Sequence, residues 1–220
     1  MLLSTAFFPP VSWFAAAASS QDGFYLEACE NFCKQSYRNR CHIAAAGGSE
    51  AISVPIVHEG DLFHTLITEV MIDYQDPWVK KARRAIESAY STSPFFEYYK
   101  DDIFSILNSG IPRLWNLNLA LIRHFIKKTN LGIEPLFTEE FTKPSAQKEI
   151  SPPGPYGLDY RAAIHPKRPN TILAGLNLEK PYFQVFAQKY GFIKDLSVMD
   201  LLFNEGPESL LWLRTSIRRS

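Results

Sequence analysis

The rhythm of hydrophobic and polar positions changes three times along this chain of 220 residues. The first 75 residues carry short apolar or alternating runs, the signature of strands. Leu2 to Phe8 predicts a strand, Pro9-Pro10 a turn, and Ser12 opens a helix. Phe24 to Ala28 predicts a second strand. Lys34 to Ala46 reads as extended, Gly47-Gly48 as a turn, and the β-branched alternation Ala51 to Val57 as the returning arm of a hairpin. Leu66 to Tyr74 predicts a further strand.

The middle of the chain, residues 76–131, switches to helical spacing. Asp76-Pro77 starts a helix, Asp as N-cap and Pro at the first position, that runs to about Tyr90. Ser93-Pro94 repeats the device, and Asn108-Ser109-Gly110 ends the second helix. A third spans Pro112 to Asn130, with Leu114, Leu117, Leu121 and Phe125 on one stripe. Periodicity then vanishes over residues 132–180, where prolines 144, 152, 153, 155, 166 and 169 predict a long loop or lid. Residues 181–220 return to helices: Phe183, Phe186 and Tyr190 read as a packing stripe, Ser197-x-x-Asp200 as a capping box, and Gly206-Pro207 as a stop and restart. The expected fold is α/β in one domain over 1–220: an N-terminal mixed sheet with an early helix, an α-helical middle lobe, and C-terminal helices packing back on the sheet.

Composition narrows the function. With 46% hydrophobic residues the chain can bury a sizeable core, and 23 basic against 23 acidic residues give no global field for nucleic acid or anionic lipid. Anion binding must then be local. Met1 to Ser20 is apolar enough to suggest a signal peptide, but no Lys or Arg precedes it and Pro9-Pro10 interrupts it; we read it as folded, expect no membrane span, and expect a cytoplasmic protein. Three cysteines argue for a reducing compartment. Cys29, Cys33 and Cys41 lack the spacing of a structural zinc site, so the metal reading yields to buried thiols, with Cys41 open to a reactive role beside its cations.

The candidate chemistry concentrates in Lys34-Gln35-Ser36-Tyr37-Arg38-Asn39-Arg40-Cys41. In an extended chain Lys34, Ser36, Arg38, Arg40 and His42 share one face, and arginine forks suit phosphate or carboxylate. The competing reading is an edge strand guarded by charge. Lys34, Gln35, Tyr37, Arg38, Asn39 and Arg40 are therefore ligand-binding candidates. A second polar knot follows in the predicted loop: Asp159-Tyr160-Arg161, then His165-Pro166-Lys167-Arg168. Here His165 and Asp159 are the catalytic candidates, with Arg161 and Lys167 as ligand contacts, against the plainer reading of a basic surface turn. No glycine-rich phosphate loop, nucleophile elbow or zinc-protease helix is present in the sequence. The aromatic run Phe95 to Tyr99 suggests core plus an interface, such as a homodimer's.

Several of these segments resemble one family. Phe8-Pro9-Pro10 with Trp13-Phe14, the block Glu30 to Cys41, Ser53 to Ile56, Trp78, Ala89-Tyr90, Ser93 to Tyr99, Tyr182 to Phe186 and Leu196 to Pro207 are similar to the WbqC-like proteins of bacterial polysaccharide clusters. Asp159 to Arg161 with Ile164 to Lys167 resembles a variant lacking a longer C-terminal insertion. The resemblance implies a cytoplasmic protein of surface-polysaccharide, O-antigen-like biosynthesis, and transfer of glycine or another acyl group to a sugar. It also implies a departure: a His expected four residues after Trp78 is Ala82 here. The expected function is a transferase using a small phosphate-bearing or sugar substrate, with a nucleotide-linked donor. The alternative is a non-catalytic binding or accessory protein of the same pathway.

Overall fold

The computed structural model describes residues 1–20, 23–58, 64–144, 151–168, 170 and 172–216. It is a mixed α/β fold. Strands β1 (Leu2–Leu3), β2 (Phe24–Leu26), β5 (Pro135–Phe137), β6 (Ser151–Gly154) and β7 (Gly157–Asp159) form one sheet in the order β5-β2-β1-β7-β6. The first four neighbours run parallel, and only the β6–β7 hairpin is antiparallel. Strands β3 (Arg40–Ala45) and β4 (Gly48–Ser53) form a separate hairpin, with Cys41 opposite Ile52 and Ile43 opposite Glu50.

Helix α1 (Val11–Ala18) follows β1. It is apolar on every side, and its residues 11–17 are all buried, as an all-round apolar helix must be. The chain enters it through Phe8 at φ 44°, a left-handed conformation that is costly for an aromatic residue and is held by burial of the ring. Phe8 and Phe14 each meet Phe125 edge-on at 6.0 Å, and Phe7 meets Trp78 at 6.1 Å. These contacts join the β1–α1 turn to helices α2 (Trp78–Tyr90), α3 (Phe96–Leu107) and α4 (Leu114–Lys128). In α2 the buried positions Trp78, Ala82, Ile86 and Ala89–Tyr90 fall every three to four residues, which aims one stripe at the core. Short helices α5 (Ile172–Gly175) and α6 (Ala187–Tyr190) precede α7 (Val198–Glu205), a 3-10 turn (Gly206–Glu208) and α8 (Ser209–Ser216). The Ser197 hydroxyl caps α7 by accepting from the Met199 amide at 3.2 Å. Asp200 does not close a reciprocal box; it accepts from Tyr182 and Gln184 instead.

Several predicted elements change. Lys34 to Asn39 is a series of turns rather than a strand, with Gln35 at φ 60°, so the two-faced alternation read from residues 34–42 does not exist. Leu66 to Tyr74 makes only isolated bridges, Asn31 with Leu66, Ile56 with Ile72 and Met71 with Arg113. The predicted loop 132–180 instead supplies three of the five main-sheet strands; its residues 145–150, 169 and 171 lie outside the described residues. Strands of three or four residues are too short to leave a periodic signal. Phe183 is 56% exposed and is no part of a packing stripe. Among the aromatics of the run Phe95–Tyr99, Phe96 and Tyr99 are core and only Tyr98 is well exposed. Among the described residues no helix is long and apolar enough to cross a membrane.

Candidate functional site

In open, mainly parallel sheets the carboxyl ends of the strands are where side chains converge on a crevice. Here Ser4, Glu27 and Thr138 directly follow β1, β2 and β5, and Asp159 ends β7. Two ion-pair networks fill that position. In the first, Arg161 donates from Nε to Asp159 at 3.0 and 3.1 Å, and from Nη2 to Asp159 at 2.7 Å. It also donates to Glu27 at 2.9 Å and to the Thr142 carbonyl at 2.7 Å. Glu27 also accepts from the Cys29 amide, the Thr138 hydroxyl and the Thr142 amide. All of the Arg161 nitrogens are engaged, and its side chain is 2% exposed. In the second, Arg38 forms a two-point pair with Glu30 at 2.8 and 2.5 Å and donates to the Ser4 hydroxyl at 2.7 Å. Burial opposes the charge on Arg38, but Glu30 outweighs it and the guanidinium is held more firmly protonated than usual.

The space between these networks, bounded by Ser4, Tyr37, Arg38 and Arg161, is only about 10 Å³, room for no more than a single water. Asp159 and Arg161 are therefore structural in this conformation, not a lid over a ligand, and Arg38 is not a spare phosphate clamp. Asn39 is likewise occupied: its side chain donates to the Val54 carbonyl and its carbonyl accepts from the Val54 amide, clipping the end of the hairpin. Cys41 is fully buried, and burial pushes its thiol far up, away from reactivity. Cys29, Cys33 and Cys41 are free, half-buried, exposed and buried respectively.

A larger, polar pocket of about 350 Å³ lies alongside, between the β3–β4 hairpin, the residues His165, Pro166, Arg168, Asn170 and Leu173, and residues 194–196. Tyr37, His42, His165, Arg168, Lys194 and Asp195 line it. Of the predicted site residues, Tyr37 and His165 reach this pocket. Gln35 and Lys167 are exposed beside it and hydrogen-bond each other across it in sequence, the amide oxygen accepting from the ammonium. Lys34 is exposed, and Arg40 stands at the head of β3.

The electrostatics of this pocket are cationic. Burial, then Arg168, Arg38, Lys167 and Arg40, drive His165 down to about 4. His42 is also lowered, by burial and Arg40. Both rings are neutral near pH 7. The His165 Nδ1 accepts from the Lys167 amide at 3.1 Å, which leaves the ring proton on Nε2. In this tautomer the neutral His165 ring presents an N–H donor at Nε2. Tyr37 keeps its proton, because burial and Asp195 push its phenol up. Arg168 is exposed and is not ion-paired among the described residues.

Asp195 is the residue sequence reasoning missed. It sits at φ 58° just before α7 and turns its carboxylate onto the first turn of α1. Oδ1 accepts from the Ser12 amide at 2.8 Å, and Oδ2 accepts from the Ser12 hydroxyl at 3.0 Å and from Asn170 at 2.5 Å. Burial pushes the carboxyl up to about 6, with these bonds opposing. Among the described residues no ion pair neutralises it. The chain signal that could have flagged it, an acid two residues before a helix N-cap, is too common to single out.

The fold is thus a mixed α/β one, an open, mainly parallel sheet with helices, and a polar pocket lies beside it. The chain belongs to the WbqC-like protein family, whose family model matches residues 5–151. That span holds the hairpin wall of the pocket but stops short of His165, Arg168 and Asp195. A curated relative, "Uncharacterized protein Rv1507c" of Mycobacterium tuberculosis (strain ATCC 25618 / H37Rv), is 27% identical over 207 residues, covering 88% of each chain. No solved structure matches the chain.

Proposed function

We propose that the chain is a group-transfer enzyme of surface-polysaccharide biosynthesis that holds a small phosphate-bearing donor in the 350 Å³ pocket. The observation that carries the reading is the juxtaposition in one pocket of an unpaired guanidinium, a neutral imidazole donor and a carboxyl titrating near neutrality. Arg168 and the His165 Nε2–H hold the donor's phosphate. Asp195 takes the proton of a sugar hydroxyl or amine as that atom attacks the donor's acyl carbon. The acyl–oxygen bond breaks, and the phosphate-bearing group leaves with its charge on Arg168. A nucleotide-linked or simple acyl phosphate satisfies the same geometry.

The rival reading, a binding protein of the same pathway, is favoured by the state of two groups the sequence offered for chemistry: Cys41 is buried and Asp159 is paired with Arg161. Histidine NMR separates the outcomes. A bound phosphate dianion offsets the cations around His165, so inorganic phosphate or ADP should raise its titration from about 4 toward the ordinary range. Arg168→Ala should abolish that shift. Asp195→Asn should spare it and stop phosphate release from acetyl phosphate in the presence of a hexosamine. A His165 titration indifferent to both anions sinks the site; unaltered turnover in Asp195→Asn removes the proposed base.

A further inference from the structure

Another cavity, of about 580 Å³, lies along the exposed side of α2 where it meets Tyr74 and the end of α3 at Asn108. Its walls combine two chemistries. Tyr74, Pro77 and Val79 give an apolar side, and the Tyr74 ring is fixed by its hydroxyl donating to the Ile111 carbonyl at 2.7 Å. Lys80, Arg83 and Arg84 give a cationic side. These belong to a run with four cations within five positions, Lys80 to Arg84, in a chain of no net charge.

The acids in the cavity do not cancel that charge. Asp76 is held by Lys81 at 2.8 Å, and Glu87 faces Arg83 at 3.8 Å. Lys80 and Arg84 remain, both exposed, one helical turn apart and so on the same face, with no ion pair among the described residues. Arg83 is pinned with its guanidinium 4.8 Å from the centre of the Phe104 ring, and its buried Nε has no acceptor. A salt-bridged, purely solvated helix face would pair its charges at this spacing. This one gathers unpaired donors on the rim of an apolar-walled cavity of ligand size.

We propose that this cavity is a second binding site, for a small organic anion with an apolar body. Lys80 and Arg84 take its phosphate or carboxylate, and Tyr74, Pro77 and Val79 pack against its hydrocarbon. Inorganic phosphate offers the charge without the body, and an anionic membrane surface offers both without entering a cavity, so three probes separate the sources.

Calorimetric titration of the whole chain with hexyl phosphate should give saturable one-to-one binding at this site. Inorganic phosphate should bind it at least tenfold more weakly. The Lys80→Ala/Arg84→Ala double variant touches two exposed side chains and should fold normally, as circular dichroism checks; it should lose hexyl phosphate at least tenfold. The titrations are run in an Arg168→Ala background, which removes the phosphate-holding guanidinium of the pocket beside the sheet, so that the binding read belongs to this cavity. Equal affinity for hexyl phosphate with and without the double substitution overturns the proposal, as does equal affinity for the two phosphates. Co-sedimentation with phosphatidylglycerol vesicles that the double variant abolishes, without hexyl phosphate binding, also overturns it and makes the cations a membrane-facing patch.

Discussion

Replacing Arg161 with methionine tests whether the conspicuous charges of residues 159–161 bind a ligand or hold the fold. Arg161 satisfies two carboxylates that have almost no water: its own side chain is 2% exposed, that of Glu27 0% and that of Asp159 9%. The three residues tie the end of β2 to the end of β7, and through the Thr142 carbonyl to the segment after β5. Without the cation, two negative charges would face each other in the interior. Breaking a buried pair in this way costs about 3–5 kcal/mol, largely because the remaining charge is left uncompensated. For a chain of this length each kcal/mol moves the melting temperature by about 2–4 °C, so the drop should be roughly 6–20 °C.

The assay is a thermal melt by circular dichroism, with Lys167→Ala as an exposed-cation control expected within about 0.5 kcal/mol of wild type. Adding Glu27→Gln and Asp159→Asn to Arg161→Met removes the uncompensated charge and should recover part of the loss. A melting temperature within about 2 °C of wild type for Arg161→Met, together with lost phosphate binding, would refute the structural role and return Arg161 to the ligand. Failure of the two neutralising changes to recover any stability would refute the electrostatic account of the cost.

Two further outcomes follow from the same chemistry. Asp195 is pushed up to about 6 from an ordinary 3.8, so the folded state holds its proton more tightly than the unfolded chain. Its stabilising contribution is complete below about pH 4 and lost as pH rises through about 6. The melting temperature of Asp195→Asn relative to wild type should therefore rise between pH 4.5 and pH 7.5; a constant or falling difference contradicts the assignment. In thiol labelling of the native protein, exposed Cys33 should react first and buried Cys41 only on unfolding, so Cys33→Ser should remove the fast phase. Fast labelling of Cys41 would mean that the β3–β4 hairpin opens readily.

What was legible in the chain was local. Helices α2, α3 and α4 announce themselves because Trp78, Ile86, Leu117, Leu121 and Phe125 recur at helical spacing and proline or glycine marks their ends. The β3–β4 hairpin is legible from its glycine turn, although β4 runs Gly48–Ser53 and not Ala51 to Val57. The main sheet is legible only in part: β1 and β2 fall within the strands read at Leu2 to Phe8 and Phe24 to Ala28, but β1 is two residues long, β5 and β7 are three, and the pairing joins Leu2 to Asp159 and Tyr25 to Leu136 across most of the chain. The site followed the same division. Arg38, Asn39, Asp159 and Arg161 stood out because charge and amide groups amid apolar sequence are unusual. In a folded chain that very setting forces each to find an internal partner, since an unpaired buried charge is too costly to keep. Their partners, Glu30, Val54 and Glu27, are specified by tertiary contact and not by spacing. Conspicuous charge in an apolar stretch is therefore weaker evidence for a ligand than charge left over once the internal pairs are made. By that criterion attention moves from Arg38 and Arg161 to Arg168, Lys80 and Arg84, side chains that have no acidic partner in the described fold.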